Sequence, residues 1–244
     1  MEPCTRAVPV VRLCALLLRL GIVGGKEAKP HSRPYMASLQ VGKDHTCGGI
    51  LIRQDFVLTS AHCKRAGMTV VLGAHNIGRQ EASQQRMEVA EFIPHPQYRK
   101  FVYDVMLLKV NTDMCVHPAR PPPSVDHLRC AVAGWGRTGE DLPASKVLKE
   151  ATEETLSRFK CKDIWQQHFN GTQMICTKFD RKKGGVCQGD SGGPLLCNNK
   201  LRGLMAFTVL NKCSHDEFPH VFMKVSFFVP WIQSVILQRG RPSE

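Results

Sequence analysis

The chain of 244 residues lacks the sequence signals of several large protein classes. It contains neither a C-x-x-C pair nor an H-E-x-x-H stretch, so no zinc site or other metal centre is predicted. No aromatic-interleaved RNA motif or recognition-helix signature is present, which argues against specific nucleic-acid binding. The most apolar run, residues 10–21, is interrupted by Arg12 and Arg19 and is too short and too charged for a transmembrane segment. What remains is a globular protein, whose apolar fraction of 43% is sufficient for a sizeable core.

Cysteine, by contrast, is abundant, with 11 residues. Since no metal-binding spacing accompanies them, the cysteines favour disulfides formed in an oxidising compartment, and therefore secretion. Residues 1–21 are interpreted as a signal or propeptide leader, although no A-x-A-like cleavage site follows the apolar run. A disordered N-terminal extension is the alternative.

Basic residues outnumber acidic ones, and the net charge is +12. They occur in small separate groups, such as Arg181-Lys182-Lys183, rather than in one tract. A surface of this kind attracts polyanions through counterion release. We expect a sulfated glycosaminoglycan as the polyanionic partner; a merely solvated basic surface is the alternative.

Short apolar or alternating segments, separated by turn residues or charge, recur along the chain as strand signals. They are YMASLQV, GGILIRQDFVLTSAHC, TVVLGAHNIG, MEVAEFIPH, YDVMLLKV, RCAVAGWG, GGPLLC, RGLMAFTVL and HVFMKV. A proline-rich stretch, residues 118–125, divides them into two halves. No strand alternates with a long helical pattern, so an all-β fold is predicted. One amphipathic helix is expected at the end, over about 229–238, because apolar residues there fall at helical spacing: Phe228, Trp231, Ile232, Val235 and Ile236.

The stretch CQGDSGGPLLC, residues 187–197, raises the question whether Ser191 is a nucleophile or a turn residue. Its G-x-S-x-G spacing also matches the nucleophile elbow of the α/β-hydrolases. Asp104 opens an apolar strand, where a buried carboxylate needs a partner, and His62 ends another. The chain order His62, Asp104, Ser191 differs from the Ser, Asp, His order of the α/β-hydrolases.

The motifs TSAHC, DVMLLKV and GDSGGP, in that order, resemble the signature segments of the chymotrypsin-like serine proteases. IVGG (22–25), AGWG (133–136) and VPWIQ (229–233) resemble further shared segments, and PHSRPYMASLQ (30–40) resembles the branch of granzymes and mast-cell proteases. The resemblance implies two six-stranded antiparallel β-barrels, the active site between them and a C-terminal α-helix. It places a protease domain at 22–244, with barrels at about 30–120 and about 126–228.

The same resemblance implies the site residues of a serine endopeptidase that needs neither cofactor nor metal. The catalytic triad is His62, Asp104 and Ser191, and the backbone amides of Gly189 and Ser191 form the oxyanion hole. The chain is expected to be a zymogen, because the α-amine of Ile22, freed by cleavage after Gly21, would pair with Asp190. A catalytically silent homologue that acts by binding is the alternative function.

The cysteine pairs that the resemblance implies are Cys47–Cys63, Cys130–Cys197, Cys161–Cys176 and Cys187–Cys213. With Cys4 and Cys14 in the leader, Cys115 is left over as a free buried thiol, an intermolecular link or a sign of a faulty gene model. Asn170, in the sequon Asn-Gly-Thr, is a predicted glycosylation site. The expected state is a monomer, whose partners are protein or peptide substrates and serpin-type inhibitors.

By the same resemblance, the residue before the scissile bond is expected to contact Gly185, Ala206, Phe207, Thr208 and His220. Gly185 stands where trypsins carry an aspartate, so a preference for Lys or Arg is not expected. Ala206 lacks a hydroxyl that commonly supports the triad aspartate, and Thr208 narrows the entrance. If His220 points into the pocket, it favours an acidic or polar residue; a histidine turned outward to solvent is the alternative.

Overall fold

The computed structural model describes residues 22–111, 129–180, 182–210 and 212–239. The predicted leader, the proline-rich stretch and Cys115 lie outside these ranges. The described strands are β1 Lys26–Glu27, β2 Met36–Val41, β3 Asp44–Arg53, β4 Phe56–Thr59, β5 Met68–Leu72, β6 Gln85–Pro94, β7 Met106–Val110, β8 Arg129–Gly134, β9 Lys149–Thr155, β10 Met174–Lys178, β11 Pro194–Cys197, β12 Lys200–Phe207 and β13 His220–Lys224. The helices are α1 Arg158–Trp165 and α2 Val225–Arg239. Neither of these helices is long and apolar enough to cross a membrane.

The first half of the chain forms a closed antiparallel barrel in the order β2-β3-β4-β7-β6-β5. Strand β4 is buried along its whole length between β3 and β7, which explains its mostly apolar sequence FVLT. Strand β6 instead alternates between half-buried and exposed residues over most of its length, because one face meets solvent. The interior is filled by aliphatic side chains such as Leu39, Val57 and Leu108.

The second half forms another closed antiparallel barrel. Its strands follow the order β9-β10-β13-β12-β11-β8, a pairing of β8 with β9 closes the ring, and β1 adds to the outer edge of β9. Two six-stranded barrels with a terminal helix confirm the predicted fold class.

Two elements of the second barrel lack an apolar sequence signal. Strand β9, KEATEET, alternates in burial, but two of its buried positions are Lys149 and Glu153. Helix α1 is short and mostly polar; the Ser157 hydroxyl caps it by accepting from the Lys160 amide at 3.3 Å. Tertiary pairing, rather than local hydrophobicity, therefore positions these elements.

The C-terminal helix begins at Val225, earlier than the predicted 229, and buries one face that includes Phe228, Ile232 and Val235. It also reaches the first barrel, because Lys109 Nζ on β7 donates to the Arg239 carbonyl at 2.8 Å. The helix thus links the barrels on which the site is built.

All four expected disulfides are present: Cys47–Cys63, Cys130–Cys197, Cys161–Cys176 and Cys187–Cys213. Each cross-link of this kind typically contributes about 2–4 kcal/mol to stability. Two of them hold segments of the candidate site, since Cys63 follows His62 and Cys187 begins the loop that carries Ser191.

Candidate active site

His62 follows the C-terminal end of β4, and Asp104 precedes the N-terminal end of β7. Because these strands pair antiparallel, the two ends lie side by side. His62 lies on a short 3₁₀ turn after β4, and Asp104 lies two residues before β7. The His62 amide donates to Asp104 Oδ1 at 2.9 Å, and His62 Nδ1 donates to Oδ2 at 2.6 Å. Asp104 is 2% exposed, so its carboxylate is held in a low-dielectric setting with both oxygens bonded. This contact fixes the ring orientation and leaves Nε2 available.

Ser191 belongs to the second barrel and lines the same cleft, of about 300 Å³, as His62 and Asp104. Within the described residues the structure records no hydrogen bond between the Ser191 hydroxyl and the His62 ring; such bonds often shorten only when substrate binds. The Ser191 carbonyl accepts from the Gly48 amide at 2.8 Å, which anchors its loop to β3 of the first barrel. Gly192 has a φ of +77°, and a methyl group there would lie 2.1 Å from Thr59 Oγ1, so only glycine fits this approach.

Three backbone amides of residues 187–193 have no acceptor within the described residues: those of Gln188, Gly189 and Ser191. The amides of Asp190, Gly192 and Gly193 bond to other carbonyls. The Gln188 carbonyl accepts from the Arg137 amide at 2.7 Å. Because the peptide group is planar and trans, this bond directs the Gly189 amide to the opposite side. Two unpaired donors beside a serine hydroxyl are the chemical requirement for binding an oxyanion.

Asp190 is completely enclosed beneath this loop. Its carboxylate accepts from the Gly136 amide at 2.8 Å and from the Cys187 amide at 2.9 Å. A methyl group at Gly136 would lie 2.5 Å from the carboxyl carbon, so this glycine makes room for Asp190. Burial raises the pKa of Asp190 to about 7, although the two amides oppose the shift. Ile22 is equally buried, and Val23 pairs with Gly185 close to the loop.

The arrangement of a histidine, a buried aspartate and a serine across two barrels can be compared with known proteins. The family model described as Trypsin matches residues 22–232.

The chain belongs to the trypsin family.

Its relatives include mast cell protease 2 of Ovis aries, 40% identical over 92% of this chain and 94% of the relative. Granzyme E of Mus musculus is 42% identical over 92% of this chain and 96% of the relative. Cathepsin G of Homo sapiens is 39% identical over 93% of this chain and 94% of the relative. These findings confirm the resemblance to the granzyme and mast-cell protease branch. The chain is a serine endopeptidase of the chymotrypsin type.

In this trypsin-family member the cleft is lined by part of the predicted pocket only. Ala206, Phe207 and Thr208 line it, together with Gln188 and the Cys187 end of a disulfide. Thr208 Oγ1 is buried without a hydrogen-bond partner in the described part of the chain.

Gly185 and His220 do not line the cleft. His220 is completely buried, so the outward, solvated orientation is wrong. Nor does its ring present a free donor to a substrate, because Nδ1 meets Glu153 Oε1 at 2.9 Å and Nε2 donates to the Cys213 carbonyl at 2.9 Å. The expectation that His220 offers a hydrogen bond to an acidic side chain therefore needs correction. Sequence reasoning missed its partner Glu153, which stands in a polar stretch without a motif.

His45 is a second residue that the sequence did not single out. The Gly189 carbonyl can only accept, so His45 Nε2 carries the proton and donates to it at 2.9 Å. Nδ1 then accepts from the Ser38 hydroxyl at 2.8 Å. Burial lowers the pKa of His45 to about 4, which keeps the ring neutral. A strand residue of the first barrel thus supports the catalytic loop of the second.

Proposed function

We propose that this protein is a secreted or granule-stored endopeptidase that hydrolyses peptide bonds through His62, Asp104 and Ser191. The observation that carries the proposal is the pair of bonds from His62 to the enclosed Asp104, in the cleft that also contains Ser191. The family assignment supports the same reaction, and the unpaired amides beside Ser191 add the expected oxyanion donors.

The reaction follows from these groups. His62 Nε2 takes the proton of the Ser191 hydroxyl as its oxygen attacks the carbonyl carbon of the peptide. Asp104 stabilises the imidazolium, and the amides of Gly189 and Ser191 donate to the oxyanion of the tetrahedral intermediate. His62 then protonates the leaving amine, and an acyl-enzyme forms on Ser191. Water activated by His62 hydrolyses this ester and restores the free hydroxyl.

Activation by cleavage after Gly21 is supported by the state of Asp190. In the uncleaved chain no cation pairs with its carboxylate within the described ranges, and burial holds its pKa near 7. The α-ammonium of a freed Ile22 supplies the missing charge. This pairing raises the pKa of the amine above its usual value of about 8, so activity is expected to fall as pH rises through the raised pKa.

Two surface features support further partners. The lining of a surface cavity of about 540 Å³ includes five basic residues and one acidic residue, Glu150, which pairs with two of them. The excess of basic charge supports a sulfated glycosaminoglycan as a partner; the basic residues are Lys26, Arg33, Arg129, Lys182 and Lys183. Asn170 is exposed, with its Oδ1 accepting from the Thr172 amide at 3.0 Å, which suits an N-linked glycan. A monomer that cleaves protein substrates and meets serpin-type inhibitors completes the proposal.

Labelling with a fluorophosphonate probe tests the enzymatic proposal. The full chain, cleaved after Gly21, is expected to take up one probe per molecule at Ser191. Ser191→Ala should abolish labelling, and His62→Ala should slow it strongly because the hydroxyl loses its base. A cleaved, folded protein that is not labelled would show a binding protein rather than an enzyme.

A further inference from the structure

Two ionisable side chains, Glu153 and His220, are completely buried inside the second barrel, although neither belongs to the triad. They pair through Glu153 Oε1 and His220 Nδ1 at 2.9 Å. Burying a charge is costly unless it is paired and hydrogen-bonded, so such a pair requires further support.

That support is complete on both sides. The Val186 amide donates to Glu153 Oε1 at 2.8 Å, and the Thr177 hydroxyl donates to Oε2. A carboxylate that receives three donors is stabilised in its ionised form. The Cys213 carbonyl can only accept, so His220 Nε2 donates to it, and the ionised Glu153 carboxylate can only accept, so Nδ1 donates as well. With both nitrogens protonated, the ring is an imidazolium. The pair is therefore a neutralised ion pair with no unused donor or acceptor facing outward from the ring.

The pair lies behind the chain segment 185–187, whose last residue, Cys187, lines the catalytic cleft. A methyl group added at Gly185 would lie 2.8 Å from both Glu153 Oε1 and His220 Cε1, and 2.7 Å from Phe179 Cδ2. Real carbon atoms almost never approach so closely, so the space beneath Gly185 is already filled. The Cys213 carbonyl that accepts from His220 belongs to the disulfide partner of Cys187, which lines the cleft.

We propose that Glu153 is a specificity-determining residue: by holding and neutralising His220 beneath Gly185, it makes the floor of the substrate pocket shallow and uncharged. The residue before the scissile bond then has a small, uncharged side chain, such as that of alanine or valine. This inference rests on the proposed endopeptidase function. Thr208 lines the cleft and acts in the same direction, since its side chain takes up space there.

The pair of Glu153 and His220 controls the charge of the pocket as well as its size. If the ring of His220 is removed, the cavity that opens is lined by the Glu153 carboxylate. His220→Gly should therefore admit lysine and arginine before the scissile bond. In the double variant His220→Gly with Glu153→Gln the cavity has the same volume without the charge, and it should admit leucine or phenylalanine but not lysine.

The test is a series of fluorogenic peptides that differ only in the residue before the cleaved bond: Ala, Val, Leu, Phe, Lys and Asp. The protein is the full chain with its disulfides formed, cleaved after Gly21. For the parent, kcat/KM for Ala or Val should exceed that for Phe, Lys or Asp by about tenfold or more, the usual discrimination of a pocket that excludes bulk. His220→Gly should raise kcat/KM for Lys by about tenfold or more, and the double variant should not.

A parent enzyme that prefers Phe, Lys or Asp would overturn the inference, and so would a His220→Gly variant that cleaves Lys no better than the double variant does. The parent series needs no substitution, so a variant that fails to fold leaves the proposal falsifiable. Fluorophosphonate labelling separates the two levels. A labelled protein with a preference for a large residue contradicts only the role of Glu153, whereas a cleaved protein that is not labelled contradicts the endopeptidase itself.

Discussion

The state of Asp190 gives a quantitative prediction for the uncleaved chain. Raising the pKa of this carboxyl from 3.8 to about 7 corresponds to about 4 kcal/mol at pH values above both. Between these values the folded state binds more protons than the unfolded state, so stability falls as pH rises. From about pH 5 to about pH 7.5, Asp190 alone should lower the free energy of unfolding by roughly 2–3 kcal/mol.

Asp190→Asn removes this ionisation while leaving an acceptor for one of the two amides. In urea denaturation with disulfides intact, the variant should lack the part of the pH dependence that Asp190 supplies. The difference between parent and variant isolates Asp190, because the other titrating groups are common to both. Asp163→Asn, at an exposed position on α1, is the matched control, and its free energy of unfolding should depend on pH as that of the parent does.

The effect of Asp190→Asn on the free energy of unfolding should reverse in sign after cleavage. Once the α-ammonium of Ile22 pairs with Asp190, the same substitution leaves a buried charge without a partner and should destabilise by about 3–5 kcal/mol. Activity should also be lost if, as we propose, this pair shapes the loop that carries Ser191. Either of two results would contradict this role of Asp190. One is that Asp190→Asn destabilises the cleaved and uncleaved chains equally at about pH 7.5. The other is that the uncleaved variant keeps the pH dependence of stability that the uncleaved parent shows.

Three further substitutions test the site. Ala206→Ser adds a hydroxyl in the cleft that contains Asp104. It should raise kcat about threefold to tenfold in steady-state assays, since one hydrogen bond is worth roughly 1 kcal/mol. An unchanged kcat would show that Asp104 needs no third donor. Asp104→Asn should lower kcat by about 10⁴-fold by favouring the wrong tautomer of His62, with an unchanged far-UV spectrum; a loss below tenfold would contradict its role. Glu153→Gln should lower the free energy of unfolding by about 3–5 kcal/mol in guanidinium denaturation. This loss should shrink as pH rises through the raised pKa of His220. An unchanged free energy of unfolding would mean that the pair is dispensable.

The candidate catalytic residues could be selected from the sequence because their constraints are local. Asp104 and His62 stand at the ends of apolar strands, and Ser191 sits in a glycine-rich loop whose small residues are required by close backbone contacts. Apolar strands such as β4 were predicted for the same reason, since burial on both faces shows directly in their composition.

Other features could not be predicted because their cause lies far away in the chain. Strand β9 is polar, and it forms through its pairing with β1, β8 and β10 rather than through its own hydrophobicity. The orientation of His220 depends on Glu153, which is 67 residues earlier, and on the Cys213 carbonyl. His45 likewise supports a carbonyl 144 residues away. No periodicity or motif encodes these contacts.

The most direct test of the central claim is a pre-steady-state burst with an ester substrate, measured before and after cleavage at Gly21–Ile22. The cleaved protein should release one equivalent of leaving group per chain as Ser191 is acylated, followed by slower turnover, and the uncleaved protein should give no burst. A burst that persists in Ser191→Ala, or the absence of a burst from a folded and correctly cleaved protein, would contradict nucleophilic catalysis by Ser191.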